Sequence, residues 1–215
     1  MKIFLDTADT SIITKHFASG LIDGVTTNPT LIKKSGRDPL EVYQELKDLG
    51  LQDISMEVVG DADEMIKEGA GLHDTFGDCC TVKVPCSPDG LRACKELSES
   101  GIRVNVTLIF SQVQAILASK AGAKYVSPFV GRVDDNSFGG ICLVKDIVNV
   151  FKEHFTTTEV LAASIRNVRD VGRLFEHGAE IVTMPPAVFE KMYNHILTDK
   201  GLELFQADWE SVHNT

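Results

Sequence analysis

Eight short runs rich in β-branched residues alternate with helical stretches along this chain of 215 residues. The runs are Ile3–Asp6, Gly24–Asn28, Ile54–Val59, Cys80–Pro85, Val104–Ile109, Tyr125–Val130, Val160–Ile165 and Ile181–Met184. Strands that alternate with helices form right-handed βαβ units and a parallel sheet. Eight such units predict one α/β domain over residues 1–215, folded as a closed (β/α)8 (TIM) barrel.

The helical stretches carry start signals at their N-terminal ends. Thr10 is predicted to cap the first helix, and Asp38, Ser87, Asn167 and Pro186 mark the starts of later ones. The alternative fold is an open doubly wound sheet. No G-x-G-x-x-G motif or Walker-A loop follows a strand, which disfavours the nucleotide-binding versions of that fold.

The end of the chain forms a tail, residues 198–215, that a barrel does not need. We predict an extra helix over Gly201–Val212, with Leu204, Phe205 and Trp209 on it. Its aromatic residues indicate packing on the barrel or on a neighbouring subunit.

The balance of charge narrows the classes of partner. A formal net charge of −10 argues against nucleic acid or an anionic membrane as the main partner. No apolar run reaches the ~20 residues that span a bilayer, and the first one ends at Asp6, too short for a signal peptide. The five cysteines form no C-x-x-C pair, which favours reduced thiols in a cytoplasmic protein and no structural metal.

Polar residues stand at or near the C-terminal ends of seven predicted strands, where (β/α)8 barrels place their active sites. The set, with one aromatic residue, is Asp6, Thr26, Asn28, Glu57, Lys83, Asn105, Thr107, Phe129, Arg132, Ser164 and Arg166. Several have ordinary explanations when taken singly: a helix cap for Asp6, an ion-pair partner of Lys83 for Glu57, a solvated side chain for Arg166. Their convergence on one barrel mouth favours a functional site.

An inward-facing lysine suits covalent chemistry. If Val82 and Val84 face the helices, Lys83 points into the barrel, because side chains alternate along a strand. Enclosure by apolar walls disfavours the ammonium, and the neutral amine attacks a ketone to form a Schiff base. An adjacent carbon–carbon bond then cleaves when a carboxylate such as Asp6 takes a hydroxyl proton.

The remaining polar residues fit a hydroxylated, phosphorylated substrate. Glu57 and Thr107 are placed to hold a water for proton shuttling. Asn28 and Asn105 suit sugar hydroxyls. Guanidinium groups match phosphate oxygens, so Arg132 and Arg166, with Ser164, are predicted to bind a phosphate.

Six segments resemble transaldolases. They are FLDTAD (Phe4–Asp9), GVTTNPTLI (Gly24–Ile32), VKVP (Val82–Pro85), NVTLIFS (Asn105–Ser111), SPFVGR (Ser127–Arg132) and LAASIRN (Leu161–Asn167). The compact length and the QADW tail (Gln206–Trp209) resemble the small transaldolase and fructose-6-phosphate aldolase branch. The match runs from Phe4 to Trp209 with the motifs in order.

The resemblance implies metal-free Schiff-base chemistry without a cofactor. It implies transfer of a dihydroxyacetone unit from fructose 6-phosphate or sedoheptulose 7-phosphate to erythrose 4-phosphate or glyceraldehyde 3-phosphate, as in the pentose phosphate pathway. Lys83 matches the Schiff-base lysine and Asp6 the acid/base aspartate. The other positions named above match the water-handling, substrate-contacting and phosphate-binding residues. The resemblance also implies rings of five subunits that pair into decamers.

Two positions bear on the choice within the family. At these positions Glu57 and Phe129 resemble the residues of transaldolases. The aldolase members of the family are similar to each other in having Gln and Tyr there. Without a tyrosine hydroxyl, the enamine lacks one proton donor and waits for an acceptor aldehyde. The alternatives are a fructose-6-phosphate aldolase, another lysine-dependent barrel aldolase such as one for deoxyribose phosphate, a non-catalytic sugar-phosphate-binding barrel, and a purely structural protein.

Overall fold

The computed structural model describes residues 1–213, and its centre is a closed barrel of eight parallel strands. Each strand pairs with the next in sequence, and β8 closes the barrel against β1. This confirms the predicted (β/α)8 barrel. The strands are β1 Lys2–Asp6, β2 Gly24–Thr26, β3 Ile54–Glu57, β4 Cys80–Pro85, β5 Val104–Ile109, β6 Tyr125–Pro128, β7 Glu159–Ala162 and β8 Ile181–Met184.

Helices surround the barrel on the outside, except for the last one, of which no described residue is buried. They are α1 Thr10–Phe17, α2 Pro29–Ser35, α3 Pro39–Asp48, α4 Ala62–Phe76, α5 Pro88–Glu99, α6 Gln112–Lys120, α7 Val130–Asp135, α8 Gly140–Glu153, α9 Val168–Glu176, α10 Pro186–Lys191 and α11 Ile196–His213. None of these helices is both long and apolar enough to cross a membrane.

Several boundaries differ from the sequence prediction because caps compete with strand extension. The N-cap of α1 is Asp9, whose carboxylate accepts from the amides of Ser11 and Ile12, so the prediction of Thr10 is wrong. The strand predicted to reach Asn28 ends at Thr26, because Asn28 caps α2 through the amide of Leu31. The predicted helix starts at Asp38, Ser87 and Asn167 are confirmed, and each of these residues is the N-cap of its helix.

The core has two parts that follow from strand alternation. The larger cluster lies between the barrel and its helices and includes Val82 and Val84, both fully buried. The smaller cluster lies inside the barrel and contains Phe4, Tyr125 and Leu161. Each large apolar side chain removed from water stabilises the fold by about 1.5–3 kcal/mol. The outward valines of β4 therefore fix which of its side chains face inward.

The N-terminal end of the barrel is closed by a polar network. The buried carboxylate of Asp53 accepts hydrogen bonds from Thr81, Arg103 and Tyr125, at 2.9, 3.1 and 2.6 Å. A buried carboxylate is stable only when it is paired in this way. Because active sites lie at the opposite end of such barrels, we interpret this network as structural.

Gly90, in the first turn of α5, gives a stability prediction. A Cβ at Gly90 would lie 1.9 Å from the carbonyl oxygen of Pro85, at the end of β4. Gly90→Ala is expected to lower the free energy of unfolding by about 1–3 kcal/mol through overpacking.

Gly71 provides the matched control, because it is an exposed helix residue with nothing within 4 Å of its would-be Cβ. Gly71→Ala should raise the free energy of unfolding by about 0.5–1 kcal/mol. Urea titration of both variants measures the difference. Equal effects would show that α5 does not approach β4 as closely as described.

The last helix, α11, starts at Ile196, earlier than the predicted Gly201, and its described part ends at His213. None of its described residues is buried, and the side chains of Phe205 and Trp209 are 73% and 64% exposed. The helix was predicted to pack either on the barrel or on a neighbouring subunit. The barrel of the same chain does not cover this face. The division at residue 198 into barrel and tail stays a prediction.

Candidate active site

A cavity opens at the C-terminal ends of the strands, as the sequence predicts for a (β/α)8 barrel. It has a volume of about 130 Å³ and adjoins a second cavity of about 430 Å³. The two share five lining residues, which are Asn28, Lys83, Thr107, Phe129 and Arg132. Asp6 and Ser164 line the first lobe, whereas Glu57 lines the second. The lysine thus lies between two connected spaces.

Lys83 projects into the barrel from the middle of β4, between the outward-facing Val82 and Val84. It is 5% exposed. Strand register places Glu57 of β3 on one side of it and Asn105 of β5 on the other. The lysine amine is therefore fixed by the sheet, near the mouth of the barrel.

The surroundings of the amine differ from the apolar walls that the sequence suggested. Lys83 Nζ lies 2.8 Å from Glu57 Oε2 and donates to the carbonyl oxygen of Thr27 at 2.9 Å. The enclosure is real, but the neighbours are an acid and a carbonyl. The amine is therefore held by two oxygen acceptors, one of which belongs to an acidic side chain.

Asp6 ends β1 on the other side of the cavity. Its Oδ1 accepts a hydrogen bond from Thr26 Oγ1 at 2.8 Å. Burial raises the pKa of Asp6 above its ordinary value, and the positive charge of Lys83 and the Thr26 hydrogen bond oppose that rise. A carboxyl group with a raised pKa is better suited to exchange protons near neutral pH.

Thr107 presents a buried hydroxyl to both lobes. Among the described residues, its Oγ1 has no hydrogen-bond partner. The register of β5 shifts after Val106, and Leu108 adopts φ +60°, a strained conformation for a leucine. A buried, unpaired hydroxyl beside a lysine and a glutamate suits a bound water or a substrate oxygen.

The two asparagines predicted to contact substrate differ in position. Asn28 lines both lobes while its Oδ1 caps α2. Asn105 is fully buried and is not part of the lining. Its amide donates to Ser55 at 3.3 Å and accepts from Ser127 at 2.7 Å, so it lies one layer behind the cavity.

The predicted phosphate-binding residues are also divided. Arg132 and Ser164 line the first lobe, and the Arg132 guanidinium lies 4.9 Å from the ring centre of Phe129. Arg166 does not line either lobe, because both its terminal nitrogens bond the Asp135 carboxylate. Ser164 has φ +60°, a strained backbone at the cavity edge.

Two residues whose hydroxyls line the first lobe, Ser127 and Thr183, were not predicted from the sequence. Both lie on inward-facing positions of β6 and β8. Both could have been found by listing polar residues at the end of the eighth strand and at the inward-facing position two residues before Phe129. Thr183 lies 2.7 Å from Thr26 through their hydroxyl oxygens.

The fold and cavity together define a (β/α)8 barrel whose C-terminal mouth holds a buried amine between two carboxylates. A family model described as "Transaldolase/Fructose-6-phosphate aldolase" matches residues 3–215. The chain belongs to this transaldolase and fructose-6-phosphate aldolase family.

Curated relatives support the same assignment over the full length. A probable transaldolase of Cereibacter sphaeroides is 51% identical over 216 residues, covering 100% of this chain and 98% of that protein. One from Paracoccus denitrificans is 52% identical and covers 97% of this chain and 96% of its own. One from Nitrosopumilus maritimus is 50% identical, with 99% and 96% covered.

Proposed function

We propose that this protein is a transaldolase that transfers a dihydroxyacetone unit between sugar phosphates through a Schiff base on Lys83. The observation that carries the proposal is the 2.8 Å contact between the buried Lys83 amine and Glu57 at the cavity. The three relatives described above are probable transaldolases, which favours the same reaction. The donors are fructose 6-phosphate or sedoheptulose 7-phosphate, as in the pentose phosphate pathway.

The first step requires a neutral amine. Glu57 takes a proton from the Lys83 ammonium, and the amine attacks the ketone carbon of the donor. The resulting carbinolamine loses its hydroxyl as water, which leaves with a proton from Glu57. Thr107 holds that water. Its hydroxyl lines the cavity, is buried, and has no hydrogen-bond partner among the described residues.

Carbon–carbon cleavage requires the second carboxylate. Asp6 takes the proton from the hydroxyl on the carbon beyond the breaking bond. The electrons of that bond move into the iminium, an aldose phosphate leaves, and an enamine of dihydroxyacetone stays on Lys83. The enamine then attacks an acceptor aldehyde, and Asp6 returns its proton to the new hydroxyl. No metal or other cofactor enters this sequence.

The substrate phosphate gives a second test. Arg132 lines the cavity, whereas Arg166 is engaged with Asp135, so we place Arg132 as the main phosphate ligand, with Arg166 and Ser164 in support. Arg132→Ala is expected to raise KM for fructose 6-phosphate roughly 10- to 100-fold, the scale of a charged hydrogen bond. Arg166→Ala should have a smaller effect in the same direction.

The control separates phosphate binding from general damage. Unphosphorylated fructose should be used equally well by both arginine variants and by the wild type. Arg92 is an exposed arginine paired with Asp63 and Glu96. Arg92→Ala should leave KM unchanged for both substrates. Equal losses on fructose and on fructose 6-phosphate would argue against a phosphate site here.

Transfer and simple cleavage are distinguished by their products. With fructose 6-phosphate alone, we expect little free dihydroxyacetone. Adding erythrose 4-phosphate should give sedoheptulose 7-phosphate. Chromatographic measurement of both products tests this, and rapid release of dihydroxyacetone without acceptor would support the aldolase alternative.

Phe129→Tyr sharpens the comparison because it adds a proton donor to the cavity wall. We expect it to increase the release of free dihydroxyacetone. Phe110→Tyr is the matched control, since Phe110 contacts Phe129 edge to face at 5.7 Å but does not line either lobe. It should leave the product ratio unchanged.

The exposed face of α11 bears on how the protein assembles. The apolar face of α11, with Leu202, Phe205 and Trp209 more than 60% exposed, favours burial against another copy of the chain. We therefore propose a homo-oligomer. The family resemblance implies a pentamer or decamer, and the free cysteines favour a cytoplasmic location.

A further inference from the structure

Three oxygen atoms on three neighbouring strands form a buried chain beside the cavity. Thr26 Oγ1 of β2 lies 2.8 Å from Asp6 Oδ1 of β1 and 2.7 Å from Thr183 Oγ1 of β8. Thr26 and Thr183 are each only 2% exposed. Strands β2 and β8 flank β1, so the two hydroxyls meet inside the barrel next to the proposed base.

The direction of this chain follows from counting protons. A threonine hydroxyl has one proton to donate and two lone pairs, and an ionised carboxylate only accepts. While Asp6 is ionised, the Thr26 hydroxyl must therefore donate its hydrogen bond to Asp6. The Thr183 hydroxyl must then donate its own hydrogen bond to Thr26. Each donation strengthens the next one along a chain of hydrogen bonds in a low-dielectric interior.

We propose that Thr183 is a positioning residue for the reaction, because it orients the Thr26 hydroxyl that holds the Asp6 carboxylate. This inference rests on the proposed function only in that Asp6 is the base. When Asp6 gains the substrate proton, it becomes a donor, and the two hydroxyls rotate in the opposite sense. Thr26 then donates to Thr183, whose own proton turns to the cavity that it lines. No covalent bond of either threonine changes.

The charged groups around Asp6 do not replace this role. Lys83 faces Asp6 and favours its ionised form, while Glu57 disfavours it. Arg132 lines the same lobe. Strand β8, Ile181–Met184, brings no titratable side chain. Burial is the largest cause of the raised pKa of Asp6, and the Thr26 hydrogen bond opposes it. Thr183 acts on that hydrogen bond.

Thr183→Val tests the proposal because it removes the hydroxyl and keeps the branched shape. Losing one net hydrogen bond should shift the acid limb of kcat/KM upward by roughly half to one pH unit. Thr183→Ser restores the hydroxyl and should return the limb to its wild-type position.

Thr81→Val is the matched control, because Thr81 is a buried barrel threonine whose hydroxyl serves Asp53 in the structural network. It should leave the acid limb unmoved. An unshifted limb in Thr183→Val, a Ser variant that behaves like the Val variant, or an equal shift in Thr81→Val would each overturn the proposal.

A second readout needs no turnover. Infrared difference spectra of protein labelled with ¹³C-aspartate, with the Asp6 band identified by its loss in Asp6→Asn, give the titration midpoint of the Asp6 carboxyl directly. Thr183→Val should raise that midpoint, and an unchanged midpoint would overturn the proposal. If the wild type shows neither Schiff base nor transfer, the proposed function fails while this measurement still decides the role of Thr183.

Discussion

Replacing Lys83 by Met in a Glu57→Gln background is expected to abolish turnover while leaving the barrel folded. The loss should be at least about 10⁴-fold, the scale of removing a covalent nucleophile. The double variant is needed because Lys83 and Glu57 form a buried ion pair at 2.8 Å. Lys83→Met alone leaves an unpaired buried carboxylate and lowers the free energy of unfolding by about 3 kcal/mol.

The controls for this experiment separate chemistry from folding. Glu57→Gln alone keeps the nucleophile and should retain the ability to form the Schiff base, at a reduced rate. Lys95→Met, at an exposed lysine paired with Glu99, should behave as the wild type. Circular dichroism and urea titration report folding. Measurable transfer by the folded double variant would exclude Lys83 as the nucleophile.

Asp6→Asn is expected to separate bond formation to the enzyme from bond cleavage. Asn keeps the shape and can still accept from Thr26, but it cannot take the hydroxyl proton. Cleavage should fall by about 10²–10⁴-fold, the usual contribution of a positioned base. Covalent trapping of the donor on Lys83 should persist. Normal cleavage in this variant would remove Asp6 from its proposed role.

The same variant has a predicted effect on stability, with a sign set by the raised pKa of Asp6. A carboxyl group whose pKa is higher in the folded than in the unfolded protein opposes folding above the folded pKa. That cost disappears as the pH falls through the folded pKa. Asp6→Asn should therefore raise Tm at neutral pH, with a gain that shrinks in acid. A variant that is less stable at neutral pH would contradict this.

Much of the barrel was predictable because its signals are local. The alternation of Val82, Lys83 and Val84 already indicates which side of β4 faces the helices, and the structure has both valines fully buried. The eight strands appear where β-branched runs occur. Boundaries were less predictable, since a residue such as Asn28 can extend a strand or cap a helix, and here capping wins.

The arrangement of side chains within the site depended on tertiary contacts. Nothing local says that Arg166 bonds Asp135, 31 residues away, and so lies outside the cavity lining. Likewise, Asn105 appears on a strand of cavity residues, but its partners Ser55 and Ser127 come from β3 and β6. The order of the strands predicts which residues lie near the mouth of the barrel. Contacts between distant segments determine which of these residues line the cavity.

The most direct test of the covalent role of Lys83 is chemical trapping of the Schiff base on the wild-type protein. The protein is incubated with fructose 6-phosphate, with or without erythrose 4-phosphate, reduced with borohydride, and digested for mass spectrometry. We predict a reduced sugar-derived adduct on Lys83, with less adduct and new sedoheptulose 7-phosphate when acceptor is present. A folded protein with no adduct, or with its adduct on another lysine, would contradict it.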